Sequence, residues 1–216
     1  MKLSAKTLAE LLPNESLERL TCLSLRGRSI AHIEDLSKVL PALKRVDLTD
    51  NAIRKPDALS GLRKCKGVTQ LVLQGNQLTE LDWVAWLPKE LHVLNVSRNQ
   101  INILPECINA CKGLRALMLN HNKLKRVDVL TKLPELNTLV VSHNQIEALP
   151  MLDRLPELVK LSAAHNTLRA MPDMRQLRKL RELRLSGNKI HQLSTDALPE
   201  NIRVLDLGDN LITSWR

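Results

Sequence analysis

Residues 114–124 read Leu114-Arg115-Ala116-Leu117-Met118-Leu119-Asn120-His121-Asn122-Lys123-Leu124. Leucine holds places one, four, six and eleven of this phrase, and asparagine holds place nine. Around Leu117 and Leu119 apolar residues alternate, so one face of a short strand is set to be buried and the other is not. The pattern L-x-x-L-x-L-x-x-N-x-L recurs with further starts at Leu20, Leu43, Val68, Leu91, Leu136, Leu158, Leu180 and Ile202.

The ninth place reads Arg28, Asn51, Asn76, Asn99, Asn122, Asn144, Asn166, Asn188, Asn210, at steps of 22 to 25 residues. Chance does not set so many asparagines in register. The phrase resembles the leucine-rich repeat, and the resemblance covers nearly everything after Arg19. It implies an α/β leucine-rich repeat solenoid, a horseshoe. Its concave face would be a parallel sheet of about nine strands, roughly 40 Å long at about 4.8 Å per strand. Residues 1–19 are expected to form an N-terminal helical cap and residues 20–216 one repeat domain. The 22-residue copies resemble the short subclass seen in a regulatory subunit of type 1 protein phosphatase, which implies a scaffold, targeting or regulatory role.

The asparagine column has a physical basis. After each strand the chain turns sharply and strands backbone N–H and C=O groups inside. A carboxamide can donate and accept at once, so stacked asparagines join neighbouring turns. Arg28 cannot accept; it stands at the end of the column, where only one neighbour exists.

Composition narrows the class. Of 216 residues, 32 are Lys or Arg and 23 are Asp or Glu, a formal charge of +9 that permits an acidic partner without requiring one. Phe and Tyr are absent and Trp occurs three times, so the core is aliphatic. No apolar run is long enough to span a bilayer, and MKLSAKTLAELLPNESLERL lacks the apolar centre of a signal peptide. No cysteine cluster flanks the repeats, so the chain reads as intracellular with reduced thiols.

Residues 4–12 predict a short helix capped by Ser4, with Leu8, Leu11 and Leu12 on one face. A second brief turn is expected over residues 15–19. Repeat four carries a helix-like Glu106–Lys112 stretch, and repeat two, the longest, is expected to hold an extra turn.

No glycine-rich phosphate loop, G-x-S-x-G, H-E-x-x-H or paired C-x-x-C is present, which argues against an enzyme and against any cofactor. Cys65 and Cys111 occupy a slot filled elsewhere by Leu40, Leu133, Leu155 and Leu177, so they are read as core residues, not metal ligands. His121, His143 and His165 share the eighth place; they could titrate together, but a small polar surface slot explains them. Trp83 and Trp86 fall beside the core slots Leu81, Val84 and Leu87 and are expected to be half-buried.

The concave face is the candidate site. Val72, Val93, Ala116, Met118 and Val140 sit at third and fifth places, pointing away from the core, and form an apolar patch at mid-sheet. Asn95, Thr138, Lys160, Ser162 and Arg184 complete the expected partner-binding set. Arg45, Asp47 and Asp50 flank it on one side, and Lys160, Glu182 and Arg184 on the other, the layout of an interface core with a polar rim. A protein partner in this face is the first reading. The second is a ribonucleoprotein component: Arg169, Arg175, Arg178, Lys179 and Arg181 form a basic cluster suited to an RNA backbone or an acidic protein. Against it, the concave columns hold no aromatic for base stacking. The last phrase ends at Ile212, which leaves the expectation that this edge is covered by another chain, a second copy or further residues.

Overall fold

The computed structural model describes residues 1–150 and 152–215, with the backbone alone at residue 215. Nine strands form one parallel sheet in chain order. They are β1 (Cys22–Ser24), β2 (Arg45–Asp47), β3 (Gln70–Val72), β4 (Val93–Asn95), β5 (Ala116–Met118), β6 (Thr138–Val140), β7 (Lys160–Ser162), β8 (Glu182–Arg184) and β9 (Val204–Asp206). Place three pairs with place three and place five with place five along the whole sheet, as in Val93↔Ala116↔Thr138 and Asn95↔Met118↔Val140. The two outward columns are therefore true lanes across the concave face.

Between them, place four points inward. From Leu23 to Leu183 the eight fourth-place residues are at most 1% exposed. Each such aliphatic side chain stabilises by about 1.5–3 kcal/mol relative to exposure. Cys65 and Cys111 are buried in the same core, in the leucine slot where the register puts them, and burial pushes both thiols up to about 11. All four cysteines are free.

The asparagine ladder does what the column requires. Asn122 Nδ2 donates to Val96 O in the preceding repeat at 3.1 Å and to Leu119 O in its own at 3.0 Å, while its Oδ1 accepts from Ile101 N. Asn51 closes the end beside Arg28 by accepting from both Arg28 N and Ile30 N. Every buried side-chain polar atom among the described residues has a partner.

Place eight carries a second backbone rule. Gly27, Asp50, Gly75, Arg98, His121, His143, His165, Gly187 and Asp209 all have φ between 52° and 69°. The turn after each strand needs a left-handed residue, a conformation glycine takes freely and Asn, Asp and His take more readily than most. The histidine column is thus selected by backbone geometry as well as by surface polarity.

Return segments vary with repeat length. The longest repeat holds the seven-residue 3-10 turn Pro56–Leu62, and the next two hold Asp82–Trp86 and Glu106–Ala110. The stretch read as helix-like in repeat four is thus a tight 3-10 turn. Gly61 is required where the first of these packs: a Cβ there would stand 2.0 Å from Glu34 O. Trp83 departs from expectation. The turn at Asp82–Trp86 directs both Trp83 and Val84 inward, and the indole is fully buried with Nε1 donating to Glu80 O at 3.0 Å. Trp86 stays half-buried, with the Arg63 guanidinium 5.7 Å above its ring.

At the N-terminus the helix α1 (Ala5–Leu11) is capped by Ser4, whose hydroxyl accepts from Thr7 N. Leu8 is buried, and Leu11 and Leu12 pack at the margin. A short 3-10 turn, Leu17–Arg19, leads into β1. Lys2–Leu3 adds a strand pair with His32–Ile33, which buries Leu3 and was not legible in the sequence. At the other end Ser214–Trp215 pairs with Gln192–Leu193. The sequence also offers Trp215 to fold over this end; its side chain lies outside the described residues.

Candidate functional site: the concave face

Val72, Val93, Ala116, Met118 and Val140 are all half-buried. Each is screened by its lane neighbours one strand away yet points off the sheet, away from the leucine core. Met118 has Asn95 on one side and Val140 on the other, with Ala116 two places back on its own strand. The parallel, unshifted register puts the patch on two neighbouring lanes, with Asn95 standing between Val72 and Met118.

Its margins are more closed than the columns suggest. Asp47, expected to flank the patch as an open charge, is 2% exposed. Arg26 reaches over it and donates from Nη2 and Nε to Oδ2, and Thr49 Oγ1 donates to Oδ1 at 2.7 Å. Burial works to raise the Asp47 carboxyl, but the bonds from Arg26 and Thr49 outweigh it and hold the carboxyl below its ordinary value. Ser162, placed in the partner-binding set, is likewise buried and shares a 2.8 Å hydrogen bond with Ser142 Oγ. Asn95 Nδ2 donates to Gln74 Oε1, and Thr138 is half-buried. On the far side Lys160 and Arg184 converge on Glu182, at 2.9 and 2.7 Å. Those contacts, the Lys160 hydrogen bond foremost, lower the Glu182 carboxyl.

Within the basic cluster, Arg175, Arg178 and Arg181 gather about Asn201. Arg169 follows the turn after β7, and Arg175 and Arg178 line a groove on the return side with Thr195, Asp196 and Asn201. Arg175 is paired with Asp173 and Lys179 with Glu157, both at 2.6 Å, and Arg181 Nη1 donates to Asn201 O.

His121, His143 and His165 stack face to face, with ring centroids 4.1 and 4.4 Å apart and planes within 17°. The ring of His165 abuts Gly187, where a Cβ would stand 2.4 Å from Nδ1. Nitrogen lone pairs lie in the ring planes, so parallel rings do not converge on one ion. No group of three or more metal-ligating side chains occurs among the described residues. Partial burial, then the charges of His121 and His165, lower the His143 pKa from its ordinary value.

The comparisons fit this geometry. Family descriptions of the leucine-rich repeat match residues 66–124, 112–154 and 176–192. The chain is built of leucine-rich repeats and has the leucine-rich repeat horseshoe fold. A leucine-rich repeat protein of Leptospira interrogans superposes with a TM-score of 0.83 at 30% identity, over 93% of this chain and 52% of that one. Internalin C2 of Listeria monocytogenes superposes with a TM-score of 0.78 at 23% identity, over 98% and 92%, a likeness of fold alone. In sequence, a probable disease resistance protein of Arabidopsis thaliana is 35% identical over 119 residues, 53% of this chain and 15% of its own length. The chain therefore spans a small part of that relative. The fold is typically a non-enzymatic protein-interaction module. No helix among the described residues is long and apolar enough to cross a membrane.

Proposed function

We propose that this protein is a non-enzymatic adaptor or regulatory subunit that holds a protein partner in its concave face. The observation that carries the reading is the patch Val72, Val93, Ala116, Met118 and Val140, which the core does not need and solvent does not favour. Burying it against an apolar surface supplies the driving force. Asn95, Thr138, Lys160 and Arg184 frame it with polar groups that fix orientation. Ser162 acts from beneath, by holding Ser142. Four free thiols support an intracellular setting. The ribonucleoprotein reading has less support, because Arg175 and Lys179 are already ion-paired and Arg181 is engaged with a backbone carbonyl.

The test is capture from native lysate by the parent chain and by Met118→Glu with Val140→Glu, each with and without nuclease. The double variant is expected to lose capture while its melting temperature barely moves, since both side chains point away from the core. Capture that survives the substitutions, or that vanishes with nuclease, ends this reading.

A further inference from the structure

The apolar patch has a rim of one sign. The backbone ladder of the sheet runs on past place five to place eight. Leu119 N and His121 N donate to Val140 O and Ser142 O, and His143 N and His165 N donate to Ala164 O and Ser186 O. The eighth-place residues therefore border the concave face coil by coil, and Arg98, His121, His143 and His165 are all exposed. From repeat four to repeat eight, places seven, eight and ten hold no Asp or Glu. They hold the three stacked histidines together with Arg98, Lys123 and Lys189, which are exposed and have no ion-pair partner among the described residues. Backbone geometry does not ask for this sign. Asp50 and Asp209 meet the same left-handed turn with a carboxylate, and arginine is not a residue that favours it. Those two acidic residues stand in repeats two and nine, away from the rim that borders the patch.

We propose that the concave face takes an acidic protein segment, with its apolar side chains on the patch around Met118 and its carboxylates along the eighth-place rim. This rests on the concave-face reading and adds the chemistry of the partner. Four strand spacings, from repeat four to repeat eight, make about 19 Å, the length of about six residues of extended chain. A carboxylate on this rim meets Arg98 as a fixed charge and the histidines as charges that protons must supply. Parallel rings 4.1 and 4.4 Å apart cannot all be charged without repelling one another. Nothing around them offsets that repulsion. Arg98 stands on one side of the stack and uncharged Gly187 on the other, with Lys123 at place ten and Asn120, Ser142 and Ala164 at place seven. The first carboxylate is Glu147, at place twelve, in a column shared with Lys125, Arg169 and His191. A partner carboxylate relieves the repulsion, so the histidines take up protons as the segment binds and acid strengthens the complex. A nucleic acid fits this face less well, because the patch beside the rim is aliphatic and the third and fifth columns hold no aromatic for base stacking.

The experiment selects a random peptide library, displayed on phage, against the full chain at pH 6.0, and measures the affinities of the synthesised winners by fluorescence anisotropy. The winners are expected to combine several carboxylates with Leu, Ile, Val or Met. Their affinity should fall about fivefold or more between pH 6.0 and pH 7.5. Replacing His121, His143 and His165 with Asn, which suits the same backbone, should flatten that dependence. Arg98→Asp should weaken binding about fivefold or more at either pH, whereas Lys55→Glu, an equal charge reversal on the outer return, should change it less than about twofold. Should Arg98→Asp fold poorly, Lys123→Glu repeats the test outside the left-handed place. Met118→Glu with Val140→Glu tells the two readings apart. Winners that lose binding to that variant, yet show no acidic bias or ignore both Arg98→Asp and pH, leave the concave site standing and overturn the acidic partner. Winners indifferent to that variant, or a library that yields none, overturn both. Displacement of the peptides by single-stranded oligothymidylate that itself needs Arg98 gives the rim to nucleic acid, and overturns the proposal as well.

Discussion

The two ends of this solenoid carry the same repeat and meet solvent differently. At the first repeat, Leu23 is 1% exposed, because α1 and the Lys2–Leu3 strand put Leu8 and Leu3 into the same aliphatic core. At the ninth repeat the equivalent Leu205 is 40% exposed, with no layer beyond it among the described residues. A leucine at place four is therefore a core residue only if a neighbour exists on both sides. In a stacked array burial belongs to the pair of repeats, and a terminal repeat keeps half of its stabilising interface.

That difference can be broken by trimming the same side chain type at each end. Leu8→Ala removes packing from the sealed end and should cost about 2–5 kcal/mol. Leu205→Ala should cost less than half as much, since Leu205 is 40% exposed. Urea unfolding of both variants measures this, and equal losses would mean that the open end is as well packed as the closed one. The ladder offers a second comparison. Asn122→Ala leaves Ile101 N, Val96 O and Leu119 O without their partner and should cost about 1–3 kcal/mol, the range for orphaned buried groups. Asn210→Ala should cost clearly less, since Asn210 is only half-buried and water can replace it. A larger loss at Asn210 would show that end to be the more cooperative one.

The smallest effect separates the middle of the molecule from both ends. The folded-state pKa of His143 lies below the ordinary 6.5, chiefly through partial burial and then through its two stacked neighbours. The unfolded chain therefore binds protons more readily than the folded one. Stability is complete above pH 6.5 and declines slightly as pH falls below it. Thermal melts between pH 7.5 and 5.5 should show the decline. Replacing His121, His143 and His165 with Asn, which tolerates the left-handed backbone, should flatten it; a slope that persists places the titrating groups elsewhere.

The layout of the concave columns was legible beforehand because parallel, unshifted pairing turns columns of text into lanes in space. Val72, Met118 and Val140 lie where the phrase puts them. Cys65 and Cys111 were readable as core by slot alone. The left-handed eighth place is also written in the sequence, in Gly27, Asp50, Gly75, Gly187 and Asp209 of the column that holds the three histidines. What the text could not carry were contacts that depend on side-chain reach. Arg26 closing over Asp47 joins residues 21 apart, and nothing at either position announces it. Asn109, on the return of repeat four, braces the next repeat by donating to Val129 O and accepting from Lys132 N; no column marks it.

The sequence by itself determined the repeat, the strand positions, the inward and outward columns and the asparagine ladder, because each follows from a period and from local backbone hydrogen bonding. Tertiary structure decided the rest. It drew Trp83 inward through the twist of a 3-10 turn, and it ion-paired part of a basic stretch. It also left Leu205 half in water while burying Leu23. Those outcomes depend on what stands one repeat away, and a repeat cannot state its own neighbours.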